Sequence, residues 1–309
     1  MSVLAAEGQG LSRPRVGSEA LRKLMGDRWA MVGAVIVLLF ILLAVFAHQL
    51  CAISGSNPYS YDLGALTASG LPKGALGGIS STHWLGVEPQ SGRDMFAIVA
   101  YGARTSLLIG FGATALAALI GTGLGLLSGL WGGLVDTLLS RFTDLMIAFP
   151  QLIFMIALGS IVPQSFPRQL FMIAVIGLFG WTYMARVVRA QTLALRGRSF
   201  VIAAEAVGAG RWHLLRTELL PNLVPTIIVI CTLAVPAAIG TEAALAFLGV
   251  GVPPPTPSWG REISSAVGWI SVDPWMLIAP GSALFLVTLS LNAVGDGLRD
   301  ALDLKTRAR

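Results

Sequence analysis

This 309-residue chain has few residues of the types that do chemistry, and their spacing excludes more than it permits. Nucleotide hydrolysis needs a glycine-rich loop ending in lysine before serine or threonine, so that backbone amides and an ammonium hold the phosphates. Lys23, Lys73 and Lys305 are followed by Leu24, Gly74 and Thr306, and Leu304 stands where the last candidate would need glycine. No P-loop results. His48, His83 and His213 are isolated, and the topology below sets His213 across a membrane from the other two, so no metal site is expected. Cys51 and Cys231 lie far apart and suggest neither a disulfide framework nor a zinc knuckle. No GxSxG nucleophile elbow occurs. Glu242 is different, because it sits deep in an apolar run where an unpaired charge costs at least a few kcal/mol. It must therefore face protein or a water-filled pathway, as a pathway-lining or gating group or as a hydrogen-bonded carboxyl that fixes helix packing.

The elements that would position these residues are membrane helices. The chain is 55% hydrophobic and 12% charged, against roughly a quarter charged in a soluble domain, which excludes a water-soluble fold. Its pI near 9.7 does not mark a nucleic-acid binder, since the basic residues flank apolar runs without interleaved aromatics. A spanning helix needs about 20 apolar residues, and the runs 29–50, 105–130, 145–162, 170–188, 223–250 and 275–294 qualify. The predicted fold class is therefore all-α, a polytopic membrane protein with six transmembrane helices. The first run has a 28-residue lead and no small-residue cleavage site, so it reads as an uncleaved anchor. With the N-terminus inside, the outside holds Lys73, Arg93, Arg104, Arg168 and Arg261, five of 21 basic residues, and the inside holds the other 16. By the positive-inside rule both termini are expected in the cytoplasm.

Smaller features refine this layout. Asp136 and Asp144 are expected at the interface near the third run. Gly121, Gly125, Gly129 and Gly133 repeat every four residues and should form a bare stripe for close helix packing, within this chain or against another subunit. Pro150, Pro225 and Pro236 remove helix hydrogen bonds and can kink their spans. The stiff run VPPPTPSW at 252–259 faces outside, to brace the outer mouth or to meet a delivery protein.

Two connections are long. One is extracytoplasmic and rich in glycine and serine. The other, at 189–222, contains SFVIAAEAVGAGRWHLLRTELLPN from residue 199. Residues 201–207 form one predicted helix, Gly208 and Gly210 interrupt it, and 211–220 form a second that ends before Pro221. Ala203, Ala204 and Val207, then Leu214, Leu215 and Leu219, recur at spacings that share helix faces. Periodicity alone also fits an amphipathic helix resting in lipid headgroups.

At these residues the chain resembles the permease subunits of ATP-binding-cassette importers, whose inner loop carries an EAA-type signature. Ala203, Ala204, Gly208, Leu220 and Pro221 match in register, while Ile202 replaces the opening glutamate. HWLGVEPQSGRD at 83–94, YGARTSLLIG at 101–110, EAALAFLGVGVPPPTPSWG at 242–260 and NAVGDGLRDALD at 292–303 are similar to signatures of the dipeptide, oligopeptide and nickel group, C-type subunit. Val87 and Glu88 depart from the usual Thr-Asp, and Leu304 stands where proline is usual. The resemblance implies a five-helix type I importer core plus one N-terminal helix. It divides the chain into a cytoplasmic tail at 1–28, a first helix at 29–50, an extracytoplasmic loop at 51–100, the importer transmembrane domain at 101–298 and a cytoplasmic tail at 299–309.

It further implies a non-catalytic subunit in a bacterial cytoplasmic membrane. The expected partners are a second homologous permease, two cytoplasmic ATPases that bind ATP and Mg, an extracytoplasmic substrate-binding protein and membrane lipid, with no nucleic acid and no cofactor on this chain. Ala203, Ala204, Glu205, Gly208, Leu214, Leu215, Leu220 and Pro221 would couple to the ATPases, and Glu242 would serve the pathway. The expected cargo is di- or oligopeptides, with nickel or another small solute as the alternative. A self-sufficient secondary transporter or channel shares the six spans and the buried carboxylate, and a membrane-anchored scaffold shares the spans alone.

Overall fold

The computed structural model describes residues 16–163 and 165–303. Arg13, Arg15, Lys305, Arg307 and Arg309 of the charge argument, and Leu304, lie outside the described residues. Among the described residues the regular elements are helices: α1 (Val16–Gly26), α2 (Arg28–Val45), α3 (Ala47–Ser54), α4 (Met95–Trp131), α5 (Gly133–Ala148), α6 (Gln151–Ile161), α7 (Arg168–Arg196), α8 (Ser199–Ala206), α9 (Arg211–His213), α10 (Leu220–Phe247), α11 (Trp259–Ala266) and α12 (Trp275–Asp303). Five continuous helices are long and apolar enough to cross a membrane, namely α2, α4, α7, the stretch Arg211–Phe247 and α12, and α5 with α6 makes a sixth if that bent pair counts as one span.

The departures from expectation have local causes. The run 29–50 breaks at Phe46, between α2 and α3. The third run is bent by 80°; the break falls at Phe149 and Pro150, because proline removes a donor and biases the residue before it towards extended backbone. Helix α4 starts ten residues before the expected 105, with the Asp94 side chain accepting from Ala97 N–H at 2.8 Å as its N-cap. At about 1.5 Å per residue its length is roughly 55 Å, so it overshoots the hydrocarbon layer. The second inner-loop helix does not end before Pro221. A π-helical stretch, Leu214–Leu219, carries it into α10, with Leu220 N–H donating to Leu215 C=O. That wider turn accepts Pro221, whose ring in an α-helix would strike the carbonyl four residues back.

Packing centres on α4. A Cβ on Gly121 would stand 2.7 Å from Trp181 C=O, one on Gly125 2.7 Å from Ala185 C=O, and one on Gly129 2.6 Å from Thr192 Cβ, so three of the four stripe glycines hold α4 against α7 within this chain. Gly133 is not on the stripe: it opens α5, and nothing lies within 4 Å of its Cβ position. Gly33 packs α2 on α12 in the same way, 2.7 Å from Ser290 C=O. Val35, Leu38, Leu39 and Leu42 of α2 are exposed, as a helix surrounded by lipid requires.

Each end of the bundle is tied by polar contacts. At one end Arg189 of α7 grips Asp136 of α5 through Nε at 2.5 Å and Nη2 at 2.7 Å, Ser128 donates to the same carboxylate, and Arg186 meets Asp144 at 2.7 Å. At the other end residues 55–94 form a cap. Arg93, 4% exposed, donates to Pro58 C=O at 2.7 Å and to Pro255 C=O at 3.3 Å, so the proline run braces the cap.

His83 bridges Asp94 at 2.8 Å and Asp62 at 3.2 Å within this cap. Burial works to lower its pKa, but the hydrogen bonds to Asp94 and Asp62 and their charges outweigh burial and hold it above the ordinary 6.5. The stability from this bridge is therefore complete below pH 6.5 and is lost as pH rises through the raised value. Amide exchange across 62–94 should lose protection above pH 6.5, once corrected for intrinsic rates. In His83→Gln that dependence should vanish; protection in the wild type that ignores pH would contradict the bridge.

Candidate functional site

Two features stand out, an elbow at the α8 end of the bundle and a cavity between helices. The elbow starts with α8, an eight-residue helix free of glycine and proline. Its stop is a Schellman turn: Gly208 N–H donates to Glu205 C=O at 2.9 Å and Ala209 N–H to Ala204 C=O at 3.0 Å. The turn puts Gly208 at φ +89°, a left-handed conformation that a Cβ disfavours. The chain then re-enters helix at Arg211 and runs without a break into α10.

The predicted coupling residues separate into two faces. Ala203, Glu205, Gly208 and Pro221 are exposed; Ala204, Leu215 and Leu220 are half-buried; Leu214 is buried at 1% exposure. Leu214 therefore anchors the elbow. It packs with Val201, Leu219 and Leu223 against Leu126 and Leu130 of α4 and Met184 and Val188 of α7. The tip carries large apolar groups in the open, Ile202 at 54%, Val207 at 86% and Trp212 at 59% exposure. The alternation of apolar positions placed Val207 on a helix face but gave no signal for Trp212, which packs edge-on to Trp131 with ring centroids 5.6 Å apart. The elbow thus presents an exposed apolar tip on a buried base.

The cavity, about 660 Å³, lies among α4, α6, α7 and α10. Ala113, Ala117, Ala234 and Ala237 keep its walls low, Phe179 and Tyr183 supply aromatic surface, and Thr114, Gln151 and Thr241 supply polar groups. Among the described residues no Asp, Glu, Lys, Arg or His lines it. Glu242 belongs to a different place. It is fully buried, accepts from Ser106 Oγ at 3.2 Å, and that hydroxyl accepts from Trp259 N–H at 3.2 Å, linking α10, α4 and α11.

Residues 121–308 match the family model described as the inner membrane component of binding-protein-dependent transport systems. The chain belongs to this family. Residues 16–71 of the permease also match the N-terminal transmembrane domain of oligopeptide transport permease C. The permease is 39% identical to the dipeptide transport system permease protein DppC of Alkalihalophilus pseudofirmus, across 94% of this chain and 90% of that protein. It is 38% identical to the oligopeptide transport system permease protein OppC of Bacillus subtilis, across 94% and 90%. It is 34% identical to the glutathione transport system permease protein GsiD of Pectobacterium atrosepticum, across 94% and 91%. The all-helical architecture with five to six spans is that of a type I importer permease and marks a multi-pass membrane subunit of a transport system.

Proposed function

We propose that this permease forms half of the translocation pathway of an ATP-binding-cassette importer for dipeptides and oligopeptides. It sits in the bacterial cytoplasmic membrane with both termini in the cytoplasm. A homologous second permease supplies the other half, two cytoplasmic ATPases hold ATP and Mg, and an extracytoplasmic binding protein delivers the cargo. One observation carries this reading: the elbow tip is exposed and apolar, while its base packs on α4 and α7 and continues into α10, three of the helices that line the cavity. A push on the tip is thereby transmitted to the cavity walls. ATP enters the cycle as differential affinity for two conformations, the condition for any ligand to drive a change of state.

The peptide assignment draws on the relatives, whose names specify dipeptide, oligopeptide and glutathione transport at similar identity. A wall of alanine, threonine and aromatic side chains without fixed charges suits peptides of varied sequence. The test is uptake of a labelled dipeptide into liposomes holding the full complex. Uptake should require ATP inside and the binding protein outside, and nickel should not compete. Accumulation driven by an ion gradient without ATPases would overturn the reading in favour of a secondary transporter.

For Glu242 the burial and the Ser106 bond support a packing role at the junction of α10, α4 and α11. Glu242→Gln keeps the acceptor and should transport near wild-type rates. Glu242→Leu leaves the Ser106 hydroxyl without its acceptor, at a cost of about 1–3 kcal/mol, and should lower the yield of folded complex. A Glu242→Gln variant that folds normally yet transports nothing would instead place the carboxylate in the pathway.

A further inference from the structure

The cavity among α4, α6, α7 and α10 meets the broken end of a span. At Phe149 and Pro150 the chain turns by 80° between α5 and α6, and Gln151 and Leu152, the first two residues of α6, line the cavity. No side chain caps this helix. Its first backbone bond runs from Phe154 N–H to Pro150 C=O at 3.2 Å, so the N–H groups of Gln151, Leu152 and Ile153 take no acceptor among the described residues. Uncapped N–H groups carry the positive end of the helix dipole. No Asp, Glu, Lys, Arg or His among the described residues lines the cavity to compete with it.

A second observation is independent of the helix end. Thr192 of α7 and Thr241 of α10 donate back to the C=O four residues earlier, at 2.7 and 2.8 Å, a local bond open to any threonine inside a helix. Thr114 of α4 does not: it is 5% exposed, lines the same cavity, and its hydroxyl has no hydrogen-bond partner. Buried polar atoms left unpaired are rare in folded proteins and mark a place where a partner belongs. Ala113, beside Thr114, and Met155, one turn into α6, lie in one packed cluster, which sets the hydroxyl and the helix end on adjoining walls.

We propose that the N-terminus of α6, together with Thr114 and Gln151, is a donor site for a carboxylate, the C-terminal carboxylate of a peptide in transit. A carboxylate accepts hydrogen bonds and stays ionised at physiological pH, and the unpaired backbone amides, the Thr114 hydroxyl and the Gln151 side-chain amide all donate. Half-helix N-termini within membranes present the same groups to anionic substrates. Every linear peptide ends in a carboxylate, so one fixed donor site serves cargo of varied sequence while the apolar walls leave its side chains unread. The inference rests on the importer reading for the source of the carboxylate, and it names the part of the peptide that the cavity holds.

The test is binding of labelled dialanine and dialanine amide to the purified complex without its binding protein, with and without ATP. Dialanine should bind saturably, and replacing its carboxylate by the amide should weaken binding about tenfold, the worth of a charge-assisted hydrogen bond. Thr114→Val keeps the shape and removes an unpaired hydroxyl, so melting should not fall, yet dialanine binding should weaken about tenfold. Gln151→Glu sets a like charge at the site and should weaken dialanine about tenfold without weakening the amide. Thr122→Val is the control, at an unpaired threonine that does not line the cavity, and should change neither. Equal binding of dialanine and its amide, unchanged binding by both Thr114→Val and Gln151→Glu, an equal loss in Thr122→Val, or no saturable binding in either nucleotide state overturns the site. ATP-driven dialanine uptake by the same preparation with its binding protein separates the two levels: uptake without carboxylate preference sinks the site alone, whereas absence of uptake sinks the importer reading beneath it.

Discussion

Gly208→Val is expected to cut coupled uptake by about tenfold or more while ATP hydrolysis by the assembled complex continues. Gly208 holds φ +89°, and both bonds of the Schellman turn depend on that angle. Nothing lies within 4 Å of where its Cβ would stand, so the penalty is conformational and not a clash with a neighbour. A residue with a Cβ pays about 1–2 kcal/mol in this region, and a β-branched one is a stronger outlier. That is on the order of a tenfold loss of the correctly turned elbow or more. Asparagine tolerates the left-handed region far better than other L-residues, so Gly208→Asn should retain much of the uptake. Rates of uptake and of ATP hydrolysis on the two variants, at matched assembly, check this. Equal and undiminished uptake by Gly208→Val would remove the turn from the coupling path.

Gly125→Leu should prevent accumulation of the folded permease. The added Cβ would sit 2.7 Å from Ala185 C=O and 2.8 Å from Val188 Cβ. A backbone carbonyl in the middle of α7 cannot be turned aside by a rotamer change, so α4 and α7 must separate along their contact. Over-packing of this kind costs typically 1–3 kcal/mol, and here it opens the contact that also seats the elbow base. Gly123, two residues away, has nothing within 4 Å and is exposed. Gly123→Leu should therefore change stability by about 0.5 kcal/mol or less. Thermal unfolding of the two variants in detergent separates them. Similar melting would deny the stripe its role.

The membrane spans were legible because lipid demands long apolar runs, and that demand acts on composition more than on order. The elbow was legible because alanine-rich helix, glycine and renewed helix are local signals. What escaped depended on distant groups or on unusual backbone. Helix α4 begins at Met95 although Tyr101 and Arg104 interrupt the apolar run; Asp94 caps it, and the cap packs around its first turns. Pro221 reads as a stop, and only the π-helical stretch before it shows why the helix continues. Leu214 carries the same periodic signature as a docking residue, and the depth of α4 and α7 beside it turns it into an anchor. Gly133 follows the four-residue spacing, but the chain breaks at Gly132, φ +65°, and leaves the stripe. Glu242 was recognised as costly and buried, whereas its partner Ser106 lies 136 positions away and has no sequence signal.

The elbow tip offers the sharpest single test. Val207 is 86% exposed at the end of α8, beside the turn at Gly208. With a photo-cross-linking amino acid at position 207 in the assembled complex, irradiation during turnover should attach the permease to an ATPase subunit, with a yield that changes between nucleotide-bound and nucleotide-free states. Cross-links to lipid alone, in every nucleotide state, would contradict the account.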